Sequence, residues 1–316
     1  MKKIITILIS FLVLAVIALT FAGDYFYNEA VKRGTATELH REDEAIPVMV
    51  DRENERLIEE ATEWYENQTF ETLTMTSYDD LLLEGHFLEQ ENSADKTVLL
   101  AHGFRNEREN MADFVQFYYD QGFDVFIPDL RGHGESEGDY IGFGWHDRLD
   151  LKQWTEQLIE EKNSSSIFLH GVSMGAATVL MTSGEELPSQ VNGIIADSGY
   201  TSAEDILTYQ LEHLYNLPSF PIMQVTSGLT QARAGFGFTE ASAVDQVAKN
   251  NVPLFIIHGE ADELVPESMS HQLYDAASGD KTLWTVPEAG HVKAYTVATT
   301  EYQQRLTDFI EENIEE

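Results

Sequence analysis

Residues 166–175 read Ser-Ile-Phe-Leu-His-Gly-Val-Ser-Met-Gly, and the fold turns on them. The run 166–170 suits a strand buried on both faces, and a helix is predicted to begin near Met174. Between them, Gly171-Val172-Ser173-Met174-Gly175 is G-x-S-x-G. A strand-to-helix turn this tight leaves no room for side chains beside the serine, hence the glycines. It lifts the serine oxygen to the carboxyl edge of a sheet, over a helix N-terminus whose free N–H groups face any developing negative charge.

The same alternation extends to both sides. Strands are predicted at 72–76, 81–88, 97–101, 123–128, 166–170, 193–196, 253–258 and 283–286. Helices are predicted at 109–121, 147–161, 174–183, 268–277 and 301–312. Early strands without a helix between them, then a βα series, imply a mostly parallel, doubly wound α/β sheet. Residues 200–250 break the rhythm and are too long for a plain connection. They read as a small lid of short helical pieces, 203–215 the best of them, followed by Pro218, Pro221 and a glycine-containing stretch around Gly235 and Gly237. From Val50 onward, Leu57, Ile58, Ala61, Trp64 and Tyr65 share one face of an amphipathic helix that packs on the domain.

The N-terminus differs in kind. Lys2 and Lys3 precede an apolar run at 4–22, broken only by Thr6, Ser10 and Thr20. Such a run crosses a bilayer as a helix, and Tyr25, Phe26 and Tyr27 suit the membrane–water interface. Residues 1–27 are read as a transmembrane anchor, with the lysines cytoplasmic and the α/β domain extracellular at the cell membrane. Cleavage after Ala22, giving a secreted protein, is the competing reading. Residues 28–48 read as a polar stalk and 49–316 as the α/β domain.

Composition narrows the function. With 316 residues and a net charge of −36, the chain can bury a full core, but nucleic acid and anionic lipid surfaces are excluded as electrostatic partners. The count of zero cysteines removes disulfides, thiolate metal sites and a cysteine nucleophile. The sequence has no H-E-x-x-H and no phosphate-binding G-x-x-x-x-G-K-[ST]. Gly132-His133-Gly134 lacks the spacing of a dinucleotide loop, since the next glycine is Gly138.

A serine needs a base, and the base an orienting acid. His291 follows the last predicted strand and suits the base. Asp262 follows the strand at 253–258 and suits the acid, with Glu260 and Glu263 as rivals. The oxyanion donors are expected to be the backbone N–H of Met174 and of Phe104, the latter in the loop after 97–101. His102, His170 and His258 precede glycines at strand ends and read as supporting residues.

Four stretches in order carry a family resemblance: Ala-His-Gly-Phe at 101–104, Asp-Leu-Arg-Gly-His-Gly-Glu-Ser at 129–136, Gly-Val-Ser-Met-Gly at 171–175, and His-Gly-Glu-Ala-Asp-Glu-Leu-Val-Pro at 258–266 with Gly-His at 290–291. The chain resembles the α/β-hydrolase superfamily from about residue 72 to 314, and more narrowly is similar to membrane-anchored or secreted hydrolases of Gram-positive bacteria. The resemblance implies Ser173 as nucleophile, Asp262 as acid, His291 as base, and Phe104 and Met174 as oxyanion donors. It implies an ester or related acyl bond in a small-molecule substrate, and no cofactor or metal. A peptidase or amidase with the same residues, and a non-catalytic surface protein on the same scaffold, are the alternatives.

Overall fold

The longest apolar runs lie at the centre of the sheet. The computed structural model describes residues 2–34, 52–93 and 95–314. Its strands are β1 (Glu71–Thr76), β2 (Leu82–Leu88), β3 (Lys96–Ala101), β4 (Asp124–Pro128), β5 (Ser166–Val172), β6 (Val191–Asp197), β7 (Leu254–Gly259) and β8 (Lys281–Val286). Among the described residues they form one sheet in the order β1-β2-β4-β3-β5-β6-β7-β8. β1 and β2 pair antiparallel, as do β2 and β4; every later pairing is parallel. This is the α/β-hydrolase sheet that the alternation predicts.

Side chains of a strand alternate between faces, and two cores result. Leu99, Leu169, Ile194 and Ile256 enter one, with Trp154 and Leu158 of α4 (Asp147–Lys162) and Val179 and Leu180 of α5 (Met174–Thr182). Leu100, Phe168, Ile195 and Phe255 enter the other, with Phe114 and Tyr118 of α3 (Ala112–Asp120) and Tyr302 and Leu306 of α11 (Thr299–Asn313). The amphipathic helix predicted from Val50 is α2 (Arg52–Glu66), which buries Ala61 and Tyr65 against α3. Val50 itself lies outside the described residues.

Between β6 and β7 stand α6 (Ala203–Leu214), α7 (Ser219–Ala234) and α8 (Ala243–Val247). The sequence reading names α6 as its best helix and leaves the α7 stretch, which begins among Pro218 and Pro221, without one. Pro218 precedes the helix, and Phe220, with φ −87° and ψ 133°, interrupts its first residues, so the regular helix runs from Pro221, where no intrahelical N–H is needed. After β7 and β8 come α9 (Glu267–Ala276) and the short α10 (Ala294–Val297).

The N-terminal apolar run is the helix α1 (Lys2–Ala30), long and apolar enough to cross a membrane. It does not stop at residue 27. Its last turns pack on the domain, so the predicted stalk at 28–48 begins inside a docked segment; residues 35–48 lie outside the described residues. Gly23 lets α1 approach α7, where an added Cβ would sit 2.6 Å from Val225. Asp24 pairs with Arg233 at 2.7 Å, and Tyr27 and Val31 are buried in the first core. Ile141 donates its N–H to the Val31 carbonyl at 2.7 Å. Arg33 donates to the carbonyls of Gly134 and Ser136 at 2.5 and 2.7 Å. These partners lie a hundred to two hundred residues away in the chain, so a local reading sees only a polar stretch after an anchor.

Candidate active site

The turn at the end of β5 is as tight as G-x-S-x-G implies. A Cβ on Gly171 would lie 2.1 Å from the Gly175 carbonyl oxygen, and one on Gly175 would lie 1.9 Å from that of Ala101. Ser173 has φ 57° and ψ −116°, a conformation L-residues avoid, so its position is held by the surrounding structure. The Ser173 N–H donates to the Asp197 carbonyl at 2.8 Å, tying the turn to β6.

The structure brings the three predicted side chains together. Ser173 Oγ lies 2.8 Å from His291 Nε2, and His291 Nδ1 lies 2.7 Å from Asp262 Oδ2. The other carboxylate oxygen accepts the N–H groups of Leu264 and Val265 at 2.9 and 2.8 Å. Burial alone raises the Asp262 pKa. Hydrogen bonds from His258 and His291, with the backbone donors, outweigh it and hold the carboxyl well below its usual range. His258 donates from Nε2 to the Val265 carbonyl at 2.8 Å and sits 3.4 Å from Asp262, so it braces that carboxylate. Glu260 instead accepts from Thr285 at 3.0 Å on the exposed rim, and the Glu263 carbonyl receives Tyr209; neither meets His291.

Phe104 and Met174 line the same pocket as Ser173. Among the described residues their backbone N–H groups make no hydrogen bond. The loop carrying Phe104 is fixed by two histidines. His102 Nε2 accepts the Leu130 N–H at 3.0 Å, and His133 Nε2 accepts the Arg105 N–H at 3.1 Å. Both rings donate from Nδ1 to backbone carbonyls, of Gly103 and Arg131, which sets the tautomer. Burial pushes the pKa of His102 down to about 4 and that of His133 down to about 3, keeping both acceptors neutral. In the sequence His133 stands between two glycines that fit no dinucleotide loop and within the 129–136 stretch of the family resemblance, but nothing there assigns its ring a partner.

His170 is also a supporting residue, buried behind the turn with its Nδ1 3.0 Å from the Tyr118 hydroxyl. Around Ser173 lies an apolar pocket of about 850 Å³, counting its open mouth. Phe143, Tyr200, Leu207, Leu211, Met223 and Phe238 line it, with Phe26, Glu29 and Ala30 of α1. No part of the sequence reading assigned α1 to the pocket.

Comparison with known proteins agrees with this fold. Residues 92–229 and 223–293 match the family described as "Serine aminopeptidase, S33". YqkD of Bacillus subtilis is 26% identical over 98% of this chain and 98% of its own length. A thermostable monoacylglycerol lipase of a Bacillus species is 24% identical over 69% of this chain and 88% of its own. The Pyrococcus furiosus esterase Pf2001 superposes with a TM-score of 0.65 at 24% identity, covering 78% of this chain and 92% of that one. With the sheet order and the family match in agreement, this chain belongs to the α/β-hydrolases, in the family described as "Serine aminopeptidase, S33".

Proposed function

We propose that the chain is a serine hydrolase that cleaves a carboxylic ester through an acyl-enzyme, anchored in the membrane by α1. The observation that carries this is the hydrogen-bonded series Ser173–His291–Asp262, at 2.8 and 2.7 Å, opening into an apolar pocket.

The chemistry follows from the hydrogen bonds. The Asp262 carboxylate accepts the Nδ1 proton of His291, leaving the Nε2 lone pair toward Ser173 Oγ. As the serine oxygen attacks the ester carbonyl, His291 takes its proton and Asp262 stabilises the imidazolium. The tetrahedral oxyanion rests on the N–H groups of Phe104 and Met174. His291 then protonates the departing alcohol. Water, deprotonated by the same ring, attacks the acyl-serine and releases the acid.

A peptidase with the same side chains is the second reading, favoured by the family's description. The apolar lining supports an aliphatic acyl group over a peptide. The placement follows the positive-inside rule: Lys2 and Lys3 keep the N-terminus cytoplasmic, the domain lies outside, and residues 200–250 serve as its lid.

The test uses the full chain in detergent, because the end of α1 lines the pocket. A fluorophosphonate should label Ser173, and Ser173→Ala should abolish the label. p-Nitrophenyl esters should turn over faster than aminoacyl p-nitroanilides. Folded protein without an adduct sinks the hydrolase reading and leaves the non-catalytic scaffold.

A further inference from the structure

We propose that the pocket draws its acyl chain directly from the membrane leaflet, with α1 serving as anchor and as pocket wall, and that the substrate is an acyl ester resident in the bilayer. This rests on the serine-hydrolase and anchor readings above.

The depth of the pocket follows from helix geometry. The apolar run at 4–22 is 19 residues, and at about 1.5 Å per residue it spans about 28 Å, close to a hydrocarbon core of about 30 Å. Phe26, on the pocket wall, lies four residues beyond Ala22, about 6 Å along the axis. The headgroup layer on each side is about 5–7 Å deep, so the wall of the pocket stands among the headgroups.

The lid leans the same way. α7 runs alongside α1, with Val225 against Gly23, and Arg233 further on against Asp24 and Tyr27. The start of α7 therefore points toward the bilayer. There the structure exposes Phe220 (72%) and, in the turn before it, Leu217 (38%). The Phe26 ring meets Tyr215 edge-on at 5.1 Å, so this apolar tip is continuous with the anchor. On a protein of net charge −36, an exposed apolar tip beside a membrane helix fits the leaflet itself. An acyl chain leaving the leaflet here passes between Phe26 and the lid and brings its ester to Ser173.

The experiment places the full-length protein in phosphatidylcholine vesicles, which are neutral overall. It compares monooleoylglycerol carried in the vesicles with p-nitrophenyl butyrate in water. The double variant Leu217→Glu, Phe220→Glu changes two residues that lie outside the pocket lining. It should keep kcat/KM for the butyrate within about twofold and lose about tenfold on the vesicle substrate, because carboxylates resist entry into the interface. The chain has no cysteine, so Phe220→Cys takes a single environment-sensitive dye. That dye should be quenched by doxyl-labelled lipid, and one at the exposed Ser189→Cys should not. Equal loss on both substrates, no loss on either, or an unquenched dye at 220 overturns the proposal. A dimer that dissociates on the same double substitution assigns the tip to a second copy and also overturns it. Butyrate turnover without monooleoylglycerol turnover refutes the inference alone. Failure of both substrates with no label on Ser173 refutes the hydrolase reading beneath it.

Discussion

Asp262→Asn is expected to disable the enzyme while leaving the fold intact, and the hydrogen bonds say why. One carboxylate oxygen accepts the N–H groups of Leu264 and Val265 at 2.9 and 2.8 Å; the other accepts His291 Nδ1–H at 2.7 Å. Asparagine keeps one oxygen. Two backbone donors hold that oxygen on their side, which turns the amide NH2 toward His291. The ring must then accept at Nδ1 and carry its proton on Nε2, facing Ser173. In that tautomer it cannot take the serine proton. The expected loss is about 10⁴-fold in kcat, or about 5.5 kcal/mol of barrier, with KM nearly unchanged. Initial rates on p-nitrophenyl butyrate give the number, and circular dichroism checks the fold. A loss below about tenfold refutes the assignment, since His291 then works without this acid. Glu260→Gln supplies the contrast: its carboxylate meets Thr285 on the rim, and rates should stay within about twofold.

Gly175→Ala should destabilise the fold by about 3 kcal/mol or abolish it, because the new Cβ meets the Ala101 carbonyl oxygen at 1.9 Å; a thermal midpoint near that of the wild type contradicts this. If the Phe104 N–H serves as proposed, His133→Ala should lower kcat about tenfold with little change in KM by releasing the Arg105 N–H and loosening the loop that carries Phe104, and an unchanged kcat would show that the loop needs no brace. Burial pushes the pKa of His170 down to about 3. The unfolded ring titrates near about 6.5, so its contribution to stability is complete above that pH and is lost as pH falls toward the folded value, at about 1.4 kcal/mol per unit. His170→Leu should therefore flatten the slope of unfolding free energy against pH by about one proton between about pH 6 and 4.5; denaturant titrations that keep the full slope refute the assignment.

The parts legible in the sequence are those set by local pattern. β3, β5 and β7 carry short continuous apolar runs, the pattern of a strand covered on both faces. The turn at Ser173 is written in its two glycines, and the order serine, acid, histidine singles out three elements of the sheet. What stayed hidden depends on partners distant in the chain. Asn28 to Arg33 read as a stalk because nothing nearby reveals that Val31 and Arg33 dock on residues 134–141. Phe26 reads as an interfacial aromatic until Tyr215 and Met223 appear opposite it. α7 is disguised by prolines that are acceptable at a helix start. The bracing by His133 needs the fold before its ring has anything to hold.

The left-handed backbone at Ser173 sets selection and drift against each other. Its φ of 57° costs a serine about 1–3 kcal/mol, whereas a glycine adopts it freely. The simplest relaxation of this turn is therefore Ser173→Gly, which would remove the strain together with the hydroxyl that faces His291. In a lineage that stopped needing the chemistry, this position is where the loss would register first, and the copies that lost it would be the more stable ones.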